Sequence, residues 1–208
     1  MKILPREHGA TVIWFVSVLA SILVITALPS PAFLILFLAV STVVLLSAGQ
    51  LTSHSRTLVR IQRNRFFLPI LSSSLTLIMP LGELIMFGSL SARVLVAWLL
   101  LFTYTVVSVS LIQLKVQGFL KGKEVSSKGI VVPGLAVLAG EGVLLASAGI
   151  MHPAVILSLT PLLVMWIYLS RRRVEEKSNR VKMIKRVGFQ QTGNMIAFIL
   201  ILAIVTRL

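Results

Sequence analysis

The chain has 208 residues, of which 57% are hydrophobic and 12% charged, and its mean hydropathy is +0.99. Water-soluble globular domains average about 25% charged residues, so that class is excluded and a membrane protein is indicated. The absence of cysteine excludes disulfides, thiolate metal sites and iron–sulfur ligation; the formal net charge of +14 lies between apolar runs, which argues against a nucleic-acid partner.

The first residues, Met1 to Gly9, are polar and lead into an apolar run without a small-residue cleavage site, so the run at 10–28 reads as a retained span. Pro29-Ser30-Pro31 makes a tight turn into a second run, 32–48, which is followed by a polar, basic segment through Arg65. The third run, 66–87, contains Pro69, Pro80 and Ser72-Ser73-Ser74, and a bend is expected there. Runs at 92–114, 130–150, 154–170 and 189–206 complete the series. Each is close to the roughly 20 residues that cross a bilayer as helix. The predicted fold is all-α: a polytopic membrane helix bundle of seven transmembrane helices in one domain, residues 1–208.

Orientation follows from the basic residues. With a cytoplasmic N-terminus, eighteen of the twenty Lys and Arg fall on the cytoplasmic side, the exceptions being Arg93 and Arg207. The positive-inside rule therefore predicts the N-terminus inside, the C-terminus outside and a cell-membrane location. Arg171-Arg172-Arg173 and the basic residues at 182–186 would attract anionic headgroups, at about 1 kcal/mol per residue near the surface. Glu83 and Arg93, the internal charges of the opposite face, are expected to pair.

One carboxylate stands out. Glu141 lies near the middle of the run 130–150, between Gly140 and Gly142. Such a group costs at least roughly 2.5–3.5 kcal/mol on insertion scales and usually faces a bundle interior or wet cavity. Its structural reading is a carboxyl bonded to Ser17, Ser21, Ser72, Ser108 or Asn194. Its functional readings are a proton-carrying group or a polar anchor in a lipid-like ligand's pocket. Beside it, Ala139, Gly142, Ala146 and Gly149 form a small-residue seam expected to pack on a neighbouring helix.

At the cytoplasmic end, Arg6, Glu7 and His8 gather a cation, an anion and an imidazole where the first span meets the interface. They read either as an interfacial helix start, with Glu7 at the positive end of the dipole, or as a cluster that touches a ligand. His54 and Arg56 follow the second span on the same face, and the two groups are expected within reach of one another. Two histidines could ligate haem iron. Bis-histidine sites usually lie inside spans, however, and His8 and His54 lie at helix ends. No cofactor or metal is therefore expected, haem through His8 and His54 being the alternative. His152, in His-Pro, reads as a turn residue.

The motif Pro5-Arg6-Glu7-His8-Gly9-Ala10 at the start of a small polytopic chain resembles the YwiC-like family of prokaryotic membrane proteins. The polar exit Gln50-Leu51-Thr52, a glutamate in a later span and Tyr168 before arginines extend the likeness. The resemblance adds weight to Arg6, Glu7 and His8 and implies no established activity.

Three function classes remain: a small-solute or proton-coupled carrier or membrane-embedded binding protein with a polar site between the cytoplasmic mouth and Glu141; a lipid- or isoprenoid-handling enzyme; and an accessory subunit docked on a membrane-protein partner. The loop layout is similar to UbiA-type prenyltransferases, which hold Mg²⁺ with aspartate-rich motifs, but this chain contains no aspartate. A diphosphate lipid would have to be bound by arginine directly. With no triad, phosphate loop or metal-ligand cluster in the sequence, the carrier reading is favoured over an enzyme.

Overall fold

A computed structural model describes residues 8–24, 35, 37–43, 69, 73–121, 126–171 and 180–207, and among them every regular element is helical. Four helices are long and apolar enough to cross a membrane: Ala92–Gly118, Lys128–Ser147, Pro153–Arg171 and Arg186–Val205. Ile13–Leu23 and Ser74–Phe87 are shorter apolar helices.

Helix α1, His8–Val24, buries Ile13, Val16 and Ala20 together with Ser17 and Ser21. The two serine hydroxyls donate to the carbonyls of Ile13 and Ser17, at 2.7 and 2.8 Å. Back-bonding of this kind satisfies a hydroxyl within its own helix, so neither serine needs a partner across the bundle. The Trp14 indole donates to the Ser41 carbonyl at 3.0 Å, tying α1 to the helical residues 37–43.

In the described part of the third run a 3₁₀ turn, Ser74–Leu77, passes into α2, Ile78–Phe87. Thr76 donates to the Ser73 carbonyl and accepts the Trp98 indole N–H at 3.1 Å, so neighbouring side chains do serve the irregular backbone. Gly88, at φ 69°, ends α2 with a backbone bond to Leu84, a left-handed cap that favours glycine. Glu83 does not take Arg93 as its partner. Its two carboxylate oxygens accept from the Ser91 amide at 2.9 Å and the Ser91 hydroxyl at 2.6 Å. The same hydroxyl accepts from the Val94 amide, so Glu83 secures the start of the next helix.

That helix, α3, is Ala92–Lys121 and has 30 residues, about 45 Å at 1.5 Å per residue. The apolar run predicted at 92–114 is only part of it, because Lys115 to Lys121 continue the helix past the hydrophobic stretch. Helix α4, Lys128–Ser147, contains Pro133, which removes one intrahelical bond near its start. It ends earlier than the predicted 150, at a turn where Gly149 has φ 67°. The sixth run is divided: a seven-residue 3₁₀ segment, Pro153–Leu159, precedes α5, Thr160–Arg171. His152 acts as the expected turn residue, its Nδ1 accepting from the Ala154 amide at 3.2 Å. Helix α6, Arg180–Val205, begins well before the predicted 189.

Helix α6 is central, packing against α1, α3, α5 and the segment Pro153–Leu159. Its buried seam, Val187, Gln191, Met195, Phe198 and Leu202, repeats every three or four residues, as one face of a helix must. Tyr104 of α3, fully buried, stacks on Phe198 with ring centroids 4.0 Å apart. Named contacts also set the helix directions. Thr103 meets Glu141 while Val107 meets Gly134, so α3 and α4 are antiparallel. Ser127 bonds Trp166 while Gly142 touches Val155, so the path through Pro153–Leu159 and α5 runs back along α4. The Arg207 guanidinium donates to the Leu23 carbonyl at 2.9 Å, which brings the C-terminal ends of α1 and α6 together and makes them parallel.

Candidate functional site

Glu141 sits where α4 crosses α3. The Thr103 hydroxyl donates to Glu141 Oε1 at 2.9 Å, and Oε2 is shielded within the protein without a hydrogen-bond partner. A carboxylate offers about four lone-pair positions, so one threonine leaves most of this acceptor capacity unused.

Both side chains lie at the margin of the contact. At about 100° per residue, Val131, Gly134, Leu138 and Gly142 stand roughly 20–100° around α4 from Glu141, and all four are buried. On α3, Leu100, Tyr104, Val107, Leu111 and Leu114 stand roughly 20–100° around from Thr103, and these too are buried. Glu141 and Thr103 are each half-buried. The pair therefore forms the lip of the α3–α4 seam. Beyond it, Val137 and Leu144, one turn to either side of Glu141, are 53% and 69% exposed. Glu141 precedes the last residue of α4, Ser147, by six positions, about 9 Å along the axis. It thus lies on the Gly149 side of the helix midpoint, though nearer the middle than the end.

The expected seam beside Glu141 is realised in part. A β-carbon on Gly142 would meet Val155 at 3.4 Å, so this glycine does pack on a neighbour, the segment Pro153–Leu159. Gly149 belongs to the turn, with nothing within 4 Å of a built β-carbon, and Gly140 likewise faces open space. The tightest approach was not anticipated: a β-carbon on Gly134 would stand 2.5 and 2.6 Å from the two methyls of Val107.

Asn194 is not brought to Glu141. Its backbone carbonyl accepts the Tyr104 hydroxyl at 3.3 Å, and its Nδ2 is buried without a partner. Tyr104 follows Thr103 in sequence, so the two side chains leave α3 about 100° apart, one towards α6 and the other towards α4. Ser108, also named as a partner, is fully buried with its hydroxyl unpaired. Ser17 and Ser21 are back-bonded within α1. Arg6, Glu7, His54, Arg56 and Ser72 lie outside the described residues, as does the side chain of His8, the first residue of α1. The expected meeting of the N-terminal cluster with the His54 segment falls there too. Among the described residues, no group of three or more His, Asp or Glu stands together as a metal site.

Thr103 is the residue that reading the sequence missed, although a signal for it existed. It lies eleven positions before the end of the run 92–114, and Glu141 lies eleven after the start of 130–150. Aligning two antiparallel runs at their common loop puts these residues level. Comparisons with known protein families, with characterised proteins and with solved structures find no match to this chain.

Proposed function

We propose that the chain is a seven-span cell-membrane protein, N-terminus cytoplasmic and C-terminus outside, that works as a proton-coupled or small-solute carrier with Glu141 as the group that takes up and releases the proton. The observation that carries this reading is the state of the carboxyl: one oxygen held, among the described residues, by a single neutral donor, the other shielded without a partner, inside an apolar helix. A carboxyl kept only for structure would be expected to have its acceptors filled, because unfilled buried ones are costly. A group that changes protonation needs some of them free. The parallel course of α1 and α6 supports the proposed topology, since spans one and seven would cross in the same direction. The motif at residues 5–10 makes the YwiC-like family the proposed kinship and names no solute.

The test is proton flux. The full chain in liposomes loaded with a pH-sensitive dye should collapse an imposed pH gradient faster than empty liposomes. Glu141→Gln should insert and remain folded yet lose that flux. Equal flux in the wild type and Glu141→Gln would refute the assignment.

A further inference from the structure

We infer that Glu141 is a lateral site, reached from the bilayer across the lip between α3 and α4, and that the ligand it accepts is a membrane-dissolved molecule bearing a hydroxyl group. The inference rests on Glu141 being a working acid, as proposed above, and adds the direction of access and the chemistry of the ligand.

Access is argued from four placements. Helix α4 is the most peripheral candidate span: 17% of it is buried inside the protein, against 44%, 39% and 39% for the other three. Glu141 and Thr103 stand at the outer edge of the buried stripes of their helices, and the packed centre of the seam is closed by Gly134 against Val107. Gly140 leaves the flank next to Glu141 open, with nothing within 4 Å of where a side chain would begin. Val137 and Leu144, which border Glu141 along the helix, are exposed apolar side chains, so the surface around the carboxyl is one that hydrocarbon wets.

The ligand chemistry follows from what the pair lacks. Thr103 supplies one donor to Oε1, Oε2 is shielded within the protein, and among the described residues no cationic side chain bonds the carboxyl. The acceptor position left for a ligand at the lip is therefore the second lone pair of Oε1. The matching group is a hydrogen-bond donor. A site about 9 Å inside the end of α4 disfavours a bare ammonium, whose burial without a counter-charge in hydrocarbon is expensive. A hydroxyl carries no such penalty and can donate to the carboxyl while its apolar chain lies along Val137 and Leu144.

Carbodiimide labelling of the full chain in liposomes tests this, with the modified residue located by mass spectrometry. Dicyclohexylcarbodiimide, which partitions into the bilayer, should modify Glu141, and a water-soluble carbodiimide should not. Dodecan-1-ol should slow the modification several-fold, and dodecane at equal membrane concentration should not. Gly140→Leu, which adds bulk where space is open, should also slow it while the protein stays folded. Comparable labelling by the water-soluble reagent, or no labelling by either, would overturn lateral access. Equal protection by alcohol and alkane, or protection by neither, would overturn hydroxyl recognition. These outcomes are independent of the flux measurement: Glu141→Gln flux equal to wild type with the labelling pattern intact would remove the carrier and leave the lateral site. An aqueous labelling pattern with Glu141-dependent flux would do the reverse.

Discussion

The identity of Glu141's partner changes what its replacement should do. An asparagine or a buried serine on a distant helix would be stranded by Glu141→Leu. Thr103 has a way out, because its hydroxyl can turn to the carbonyl four residues back, as Thr105 does to Leu101 at 2.7 Å. Glu141→Leu should therefore leave the thermal midpoint in detergent unchanged or raised, since it also removes an unsatisfied oxygen. Thr103→Val is the damaging member of the pair. It strips the carboxyl of the hydrogen bond described above and should cost about 1–3 kcal/mol of unfolding free energy. Unfolding of both variants beside the wild type checks the order, and a strongly destabilised Glu141→Leu would reveal a second partner for the carboxyl.

Two glycines of one helix make the contrast at the level of elements. Gly134 lets α4 approach α3 until Val107 occupies the space a side chain would need. The obstructing atoms are the two methyls and β-carbon of a stiff, β-branched residue, which cannot swing aside as a long side chain would. Gly134→Ala should destabilise by about 1–3 kcal/mol, the range for overpacking a filled interface. Val107→Ala in the same chain should recover part of the loss, and a double-mutant cycle measures the coupling. Gly140→Ala, with nothing to meet, should be silent or slightly stabilising through helix propensity. A similar contrast holds at Gly82, where an added β-carbon would stand 2.7 Å from the Phe37 ring.

For the whole molecule, the directions of the helices constrain topology more tightly than charge counting does. Because Arg207 reaches the Leu23 carbonyl, the ends of α1 and α6 share a side of the bundle whatever the number of crossings between them. Reporter fusions at Ser30 and Leu208 should therefore agree with each other, and both should report the outside. Fusions at Gly118 and Ser178 should report the cytoplasm. Agreement of all four with the opposite orientation would reverse the bundle and keep its packing. Disagreement between Ser30 and Leu208 would break the parallel arrangement itself.

Much of this architecture was legible in the linear sequence. Hydropathy adds up along the chain without reference to neighbours, so the apolar runs, the basic connections and the isolation of Glu141 could all be read directly. That the third run would not be a uniform α-helix was legible too, since prolines and consecutive serines disturb a helix locally, and a 3₁₀ turn stands at Ser74–Leu77. Even the level of Thr103 against Glu141 was available from counting residues on either side of one loop. What the sequence could not specify was the rotation of each helix about its own axis, which depends on the side chains of the facing helices. That rotation places Glu141 at the edge of a seam and not at its centre, turns Tyr104 towards α6, and leaves Asn194 without a hydrogen bond to Glu141. It also selects Gly134 as the point of closest approach and directs Glu83 to Ser91 instead of Arg93. A hydropathy pattern can show which residues avoid water; only packing in three dimensions decides which of them touch.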